Sequence, residues 1–401
     1  MNGYGCLESN SYGLLEAWTY ADLEACVAPE PGPVVLRDVS LSVVFAGVTL
    51  TDVISARGQI DADGGWPTCS VFVTAKPATG NEEDTLTVTA GGQLNTLQRF
   101  TGRVRRFRPS AFPKSIEIVG TGTLAYANEW APAEDTYFDE TFPTGATDQA
   151  LVQWALDQVP GVTYTAANIA GTGITLGAAA GAPEAFDWKA GTTAWNYIQQ
   201  LDRATLYRTY QDHNGEIRRV KMIGHPDFTE DFRLGPEHIL DGATGNRYTE
   251  QTRNYVHVRG HDYGDGLGPV EGSASGANDF QGDGSATATR HGEEFSSDLI
   301  ESGVDIDTGI WDGSPGLRAD QIADEIINDV NKEFVEATVP SWRDNLDGPG
   351  QTVLLDALAR LAIGEKMWLQ SYQWEFNDRG WTATYGLTGG GLEQDNPPPP
   401  P

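Results

Sequence analysis

A period-two run of apolar residues, uninterrupted by any helix, is the strongest constraint on how this chain folds. Val35, Val39, Leu41, Val43 and Phe45 keep odd positions apolar, as a strand with one buried face requires. Ser70–Ala75, Asp84–Ala90, Gln98–Phe107 and Ser115–Leu124 repeat the strand character at turn-punctuated intervals. Asp63-Gly64-Gly65 and Ala90-Gly91-Gly92 mark tight reversals. Consecutive short strands with no helix between them predict an antiparallel barrel or sandwich. Residues 34–129 therefore read as a first β-barrel-like module.

The pattern then changes period. Thr147 can N-cap a helix running to about Gln158, with Leu151, Trp154, Ala155 and Val159 on one face and Pro160-Gly161 as the stop. Thr192 or Thr193 can cap a second helix that turns Trp195, Ile198 and Leu201 inward. Leu206–Tyr210 and Ile217–Ile223 flank Asn214-Gly215, a hairpin signature whose two turn residues would supply positive φ. Residues 130–240 thus read as an inserted α+β module.

Strand character returns at Arg247–His261, followed by a Gly/Asp-rich loop over 262–285. Ser314-Pro315 opens one long helix, with Ile322, Ile326, Ile327, Val330 and Phe334 as its apolar stripe and Asp320, Asp324, Glu325, Asp329 and Glu333 outward. Thr352–Leu355, Lys366–Phe376 and Trp381–Leu387 then read as strands, so 241–390 forms a second β-barrel-like module. Residues 1–33 are an N-terminal arm ending in a Pro/Gly linker, and 391–401 a Pro-rich tail. The expected class is β-rich α+β: two antiparallel β-barrel-like modules, an inserted small α+β module and one long helix.

Charge narrows the partners. Asp and Glu outnumber Lys and Arg 57 to 26, leaving a formal charge of −31 over 401 residues. Such a field disfavours tight nucleic-acid binding, which needs clustered cations, and it disfavours anionic membranes. Either solubility or the wall of a passage through which DNA slides explains the excess, because a repelling wall does not retain phosphates. The three cysteines at 6, 26 and 69 describe neither a disulfide framework nor a CxxC zinc site. No basic, apolar leader opens the chain and no run of about 18 apolar residues spans a membrane. The expectation is a protein made in a cytoplasm, without membrane insertion.

A search for chemistry returns no catalytic, cofactor or metal assignment. Gly272-Ser273-Ala274-Ser275-Gly276 has the wrong spacing for a serine-hydrolase elbow, and His291-Gly292-Glu293-Glu294 does not match a zincin helix. His257 and His261 share a strand face but lie roughly 13 Å apart by strand rise, too far for one metal. Gly171-Thr172-Gly173 starts like a dinucleotide turn and lacks its third glycine. Asp61 with Asp63, Asp305 with Asp307, and Asp279 with Asp283 offer partial calcium spacing without a completed loop. Carboxylate pairs are plentiful, so a carbohydrate-binding or carbohydrate-hydrolysing β-protein remains an alternative.

One local anomaly stands out. Arg103, Arg105, Arg106 and Arg108 cluster in a chain short of cations. Strand alternation would put Arg103 and Arg105 on one face and Arg106 and Arg108 on the other. They read either as charges blunting a sheet edge or as a subunit-interface contact with an acidic neighbour.

Several segments resemble the hub proteins of phage tails and baseplates, including those of the late control D type. Ile54–Val73 resembles their early strand–turn–strand unit, and Ala190–Ile223 their inserted helix-plus-hairpin module. Arg253–Gly260 is similar to the strand re-entering the barrel layer, and Pro349–Val353 with the hairpin Trp368–Leu387 to the closing barrel. The resemblance implies a homo-oligomeric ring, a trimer by preference, with two similar barrels per chain to match a six-fold tube. It implies contacts with distal tail and tail tube proteins and with tip or fibre proteins, transient passage of DNA, a place at the virion tail tip, and no catalysis.

Overall fold

The computed structural model describes residues 40–62, 64–91, 96–110, 114–173, 175–176, 186–221, 231–235, 238–240, 242–248, 255–262, 269–275, 292–297, 300, 319–330, 334–341, 349–358, 363–378 and 380–390. The N-terminal arm, the Pro tail and the predicted helix start at Ser314-Pro315 lie outside them.

In chain order the strands are β1 (Ser40–Phe45), β2 (Val48–Thr49), β3 (Val53–Asp61), β4 (Thr68–Val73), β5 (Thr85–Gly91), β6 (Thr96–Ser110) and β7 (Ser115–Thr121). There follow β8 (Ala146–Thr147), β9 (Thr175–Leu176), β10 (Tyr207–Gln211), β11 (Ile217–Lys221), β12 (Phe232–Leu234), β13 (Thr244–Tyr248), β14 (Tyr255–Asp262), β15 (Pro269–Ser275) and β16 (Gly292–Ser296). The last are β17 (Phe334–Ser341), β18 (Thr352–Leu358), β19 (Ile363–Asn377) and β20 (Gly380–Gly390). Helices are α1 (Phe138–Thr141), α2 (Asp148–Asp157), α3 (Ala194–Thr205) and α4 (Ala319–Val330). The fold is β-rich α+β.

Thirteen strands join one sheet, in the order β13-β17-β20-β19-β3-β4-β7-β6-β5-β1-β2, with β18 pairing both β19 and β12. The period-two pattern explains its core. Val43 and Phe45 of β1, Val71 and Val73 of β4, and Leu86 and Val88 of β5 are fully buried, with more exposed residues between them. Each half bends around one 15-residue strand. β6 pairs with β5 through its first part and with β7 through its second. β19 pairs with β18 first, then with β20 and β3.

The two predicted barrel-like modules share this sheet through a single antiparallel seam, where Ala56–Asp61 of β3 meets Ser371–Phe376 of β19. One hydrophobic cluster fills the buried side of both halves. Stacked pairs Tyr372–Tyr385 and Trp374–Trp381 flank the seam. Arg99 reaches into the same core from β6. Its Nε donates to the Ala90 carbonyl at 3.0 Å, its Nη1 donates to the Tyr372 hydroxyl at 3.1 Å, and its guanidinium lies 4.6 Å from the Trp381 ring centroid. Burying that cation is offset by hydrogen bonds and by an aromatic face, which attracts it electrostatically.

The two helices read in residues 130–240 form as their caps require. Thr147 accepts from Ala150 N at the start of α2, and Thr193 accepts from Asn196 N at the start of α3. Leu151 and Ala155 of α2 and Trp195, Ile198 and Leu201 of α3 are buried as predicted. The hairpin β10–β11 also forms. Its turn differs from expectation, because Gly215 alone takes positive φ (89°). The Asp212 side chain accepts from the backbone of Asn214 and Glu216, shaping a longer loop that needs one left-handed residue.

Four readings of the later chain need correction. Phe334 does not continue the helix. It opens β17, a central strand the sequence pattern hid because Pro340 interrupts it. Pro340 loses only a donor, and its carbonyl still accepts from Leu240 N. The predicted strand 247–261 is two strands in two sheets, so β13 lies in the large sheet while β14 does not. The segment compared with a strand re-entering the barrel layer is therefore the centre of a separate sheet, β15-β14-β16. Part of the predicted Gly-rich loop is β15, where Gly272 leaves room for the backbone of α4 at Ala319 and Asp320. Helix α4 buries Ile322, Ile326 and Ile327 in the core cluster that also holds α2, α3 and β14. Packing thus groups these later elements with the inserted module.

A buried ion network closes the inserted module. Arg219, fully buried on β11, donates to Asp148 at 2.6 Å and to Asp202 at 2.7 Å. It also reaches Thr205 Oγ1 and the Ala170 carbonyl, over the Tyr207 ring. Burial opposes the Arg219 charge, yet Asp202 and Asp148 outweigh it and hold its pKa above the ordinary value. Asp148 further accepts from Thr172 N and Oγ1, and Asp202 from Thr209 N. One residue thereby binds α2, α3, β11 and the 170–172 turn.

Two outcomes follow. A Cβ at Gly58 would sit 2.7 Å from the Trp374 indole, so Gly58→Ala is expected to cost about 1–3 kcal/mol by urea unfolding. Arg219→Met strands two buried carboxylates and is expected to cost about 3–5 kcal/mol, whereas Arg219→Lys, which keeps the charge, costs less in the same assay.

Candidate interaction surface

The arginine cluster lies on β6, where Arg103 is paired on both sides and the stretch from Arg106 onward pairs with β7 alone. The edge-blunting reading therefore stays open beside the interface reading for Arg106 and Arg108. The predicted alternation fails, because β6 and β7 slip register between Val104 and Arg106. In such a bulge the extra residue resets the alternation. Val104 and Phe107 face the core, and Arg103, Arg106 and Arg108 fall on the opposite face together.

Arg105, the bulged residue, serves a different purpose. It pairs with Glu83 and Glu129 and lies over the Tyr126 ring. Hydrogen bonding to Glu129 leads the causes that raise its pKa. The Tyr126 hydroxyl donates to Glu83, and burial first, then Glu83, pushes that phenol up. These contacts tie β6 to the 3-10 turn Thr123–Asn128 at the entrance of the inserted module. Arg103 donates to the Glu83 carbonyl and Thr85 Oγ1, and Arg108 lies 3.6 Å from Glu117. Arg106 is exposed and has no ion-pair partner among the described residues.

Register carries this face across the seam. One row runs Arg106, Val119, Ser70, Arg57, Glu375, Thr382 through β6, β7, β4, β3, β19 and β20. The next runs Arg103, Thr121, Thr68, Gln59, Gln373, Thr384 through the same strands. Arg108, Glu117, Phe72 and Ser55 begin a third. Every one of these side chains is exposed or half-buried. Between β4 and β20 the face dips into a cleft of about 430 Å³ lined by Arg57, Gln59, Ser70, Gln373, Glu375 and Thr382 among others. The sequence pattern offered the arginines of β6 and could not offer Arg57 or Glu375, whose adjacency depends on pairing across about three hundred residues of chain.

The other candidates resolve into structure. Gly171 and Thr172 wrap the Asp148 carboxylate. His257 Nε2 lies 3.7 Å from Glu271, while His261 N donates to the Ile300 carbonyl. Among the described residues no three His, Cys, Asp or Glu side chains converge on a metal-sized site. Asp63, Asp279, Asp283, Asp305 and Asp307 lie outside those residues. The hydrolase-like run Gly272–Ser275 is strand. No described helix is long and apolar enough to cross a membrane.

No family model and no curated protein sequence matches the chain. Its fold does match solved structures. The tail protein from Neisseria meningitidis MC58 aligns over 88% of this chain and 97% of that one, with TM-score 0.58 and 13% identity. The 43 kDa tail protein of prophage MuSo2 from Shewanella oneidensis aligns over 86% and 97%, with TM-score 0.55 and 13% identity. Prophage tail protein gp18 from Listeria monocytogenes EGD-e aligns over 86% and 94%, with TM-score 0.52 and 10% identity. This chain has a phage tail-protein fold. At 10–13% identity the fold survives while individual surface residues are free to differ, so the seam face of this tail-protein fold must be read from its own side chains.

The two kinds of arginine should separate by mutation. Arg105→Ala is expected to destabilise by up to about 1 kcal/mol, since its pairs are partly solvated. Arg106→Ala is expected to stay within about 0.5 kcal/mol of the parent. Urea midpoints of the two variants check the ordering.

Proposed function

We propose that the chain is a structural hub subunit at the tip of a phage-like tail. In this reading it is a symmetric adaptor that joins the tail tube and distal tail ring to the tip or fibre proteins. The observation that supports the reading is the continuous sheet that joins strands β1–β7 to strands from the C-terminal part of the chain, in a fold that matches solved tail proteins. In this reading the two halves act as similar units, so that a three-fold ring presents six of them to a six-fold tube. The chain acts by presenting surfaces and holds no catalytic role.

The charge fits a conduit. A wall dominated by carboxylates repels phosphates, so genomic DNA slides past without being held. Localisation is then the virion tail tip. The carbohydrate reading gains little from the cleft, whose one aromatic lining residue, Trp374, is buried and packs across Gly58. A sugar platform would turn its ring outward.

Light scattering of the purified chain is expected to give a mass about three times 43.3 kDa, or a smaller species that reaches that state on adding the tail proteins encoded beside it. A chain that stays monomeric and binds none of those proteins would sink the hub reading.

A further inference from the structure

Three rows of the seam face carry more cations than carboxylates. They bring together Arg57, Arg103, Arg106 and Arg108 against Glu117 and Glu375. Within these three rows four cations face two carboxylates, with Arg108 paired to Glu117 and Asp61 on the adjoining row, a local cationic excess on a chain whose total charge is −31. The face is also open: Arg57, Gln59, Arg106, Arg108, Gln373, Glu375 and Thr382 are all exposed. It spans six strands and contains a cleft, so it offers shape as well as charge.

We propose that this face is the docking surface for a second copy of the same chain, which meets it with an acidic patch. The inference rests on the hub reading and names the surface through which the ring closes. A contact that sets a cationic patch against an anionic one offsets the mutual repulsion of two strongly negative subunits. Complementarity of that kind fixes orientation and register and speeds encounter. A heterologous contact of this type, patch to different patch, is what a closed ring requires.

The arrangement favours a protein over DNA as occupant. Glu117 stands opposite Arg108, and Glu375 stands opposite Arg57. A phosphate backbone presents negative charge continuously and would be repelled at each glutamate. A protein surface can set its own cations against Glu117 and Glu375 while its carboxylates meet Arg57 and Arg106. Arg106, lacking an ion-pair partner among the described residues, is the residue with most to gain.

The test compares the full-length chain with Arg57→Glu/Arg106→Glu by sedimentation and light scattering over a range of protein and salt concentrations. Arg106→Gln is the milder variant, and Arg208→Glu, on β10, is a single charge reversal off this face. The parent is expected to assemble, with the dissociation constant rising at least tenfold in the double variant, severalfold in Arg106→Gln and little in Arg208→Glu. Arg106→Gln keeps the question open to measurement should the double variant fail to fold. Assembly of both seam variants at the parent's strength would overturn the proposal, as would a parent that stays monomeric. Duplex DNA binding that the parent shows and the seam variants lose would overturn it too, by making nucleic acid the occupant. Capture of neighbouring tail proteins is read separately on the same samples. A parent that binds them but does not self-associate overturns the seam proposal alone, whereas one that does neither overturns the hub reading as well.

Discussion

The six-residue pairing of β3 with β19 is the constraint on which the large sheet depends. Without it each half would end in an open strand edge at the seam, a row of unpaired N–H and C=O groups that invites other chains. With it the two edges satisfy each other, and one apolar cluster runs beneath both. Gly58 is chosen by this geometry, since Trp374 lies across its Cα where any side chain would stand. The pairing joins segments about three hundred residues apart, so the loop-closure entropy is paid late, after each half has local contacts to hold it. Arg99 then adds a contact that local strands cannot make, hydrogen-bonding Tyr372 and lying over Trp381 from the other half.

A second buried cation has the same logic on a smaller scale. Arg219 gathers Asp148 from α2, Asp202 and Thr205 from α3, and the Ala170 carbonyl from the 170–172 turn. Buried ion pairs of this kind add little net stability compared with apolar packing. What they add is geometry: a carboxylate at the first turn of α2 and another inside α3 have few ways to meet one guanidinium. We read the network as fixing the angle between those helices and the β10–β11 hairpin. The acidic surplus of the chain is thus partly internal, where it carries structure, and partly external, where it shapes encounters.

Much of this was legible in the sequence, for reasons that are local. Strand-like runs marked β1 and β4–β7, the hub resemblance of Ile54–Val73 alone pointed to β3, cap residues Thr147 and Thr193 marked α2 and α3, and the Asn214-Gly215 turn marked the hairpin. What escaped was set by tertiary contact. β17 hid behind Pro340, whose missing donor matters less than the sheet on either side of it. β15 hid behind small residues, and Gly272 is there because α4 crosses at its backbone. The arginine cluster was visible as composition, yet its faces were misassigned because a single bulged residue at Arg105 inverts every side chain after it. No pattern in a linear sequence announces a bulge that exists only against its partner strand.

The same bulge couples structure to surface. Had β6 run in regular register, Arg103 and Arg105 would share a face and Arg106 and Arg108 would turn toward the core, where an unpaired cation costs several kcal/mol. The extra residue instead sends Arg105 to Glu83, Glu129 and Tyr126, at the entrance to the inserted module, and frees Arg106 to the open face. That open face is divided between strands near residue 60 and strands near residue 375, so it exists only once the seam has formed. A partner reading Arg57 and Arg106 together with Gln373 and Thr382 would bind the joined sheet and neither half alone. Binding restricted to the joined state stabilises it by linkage, so association through this face would hold the seam closed.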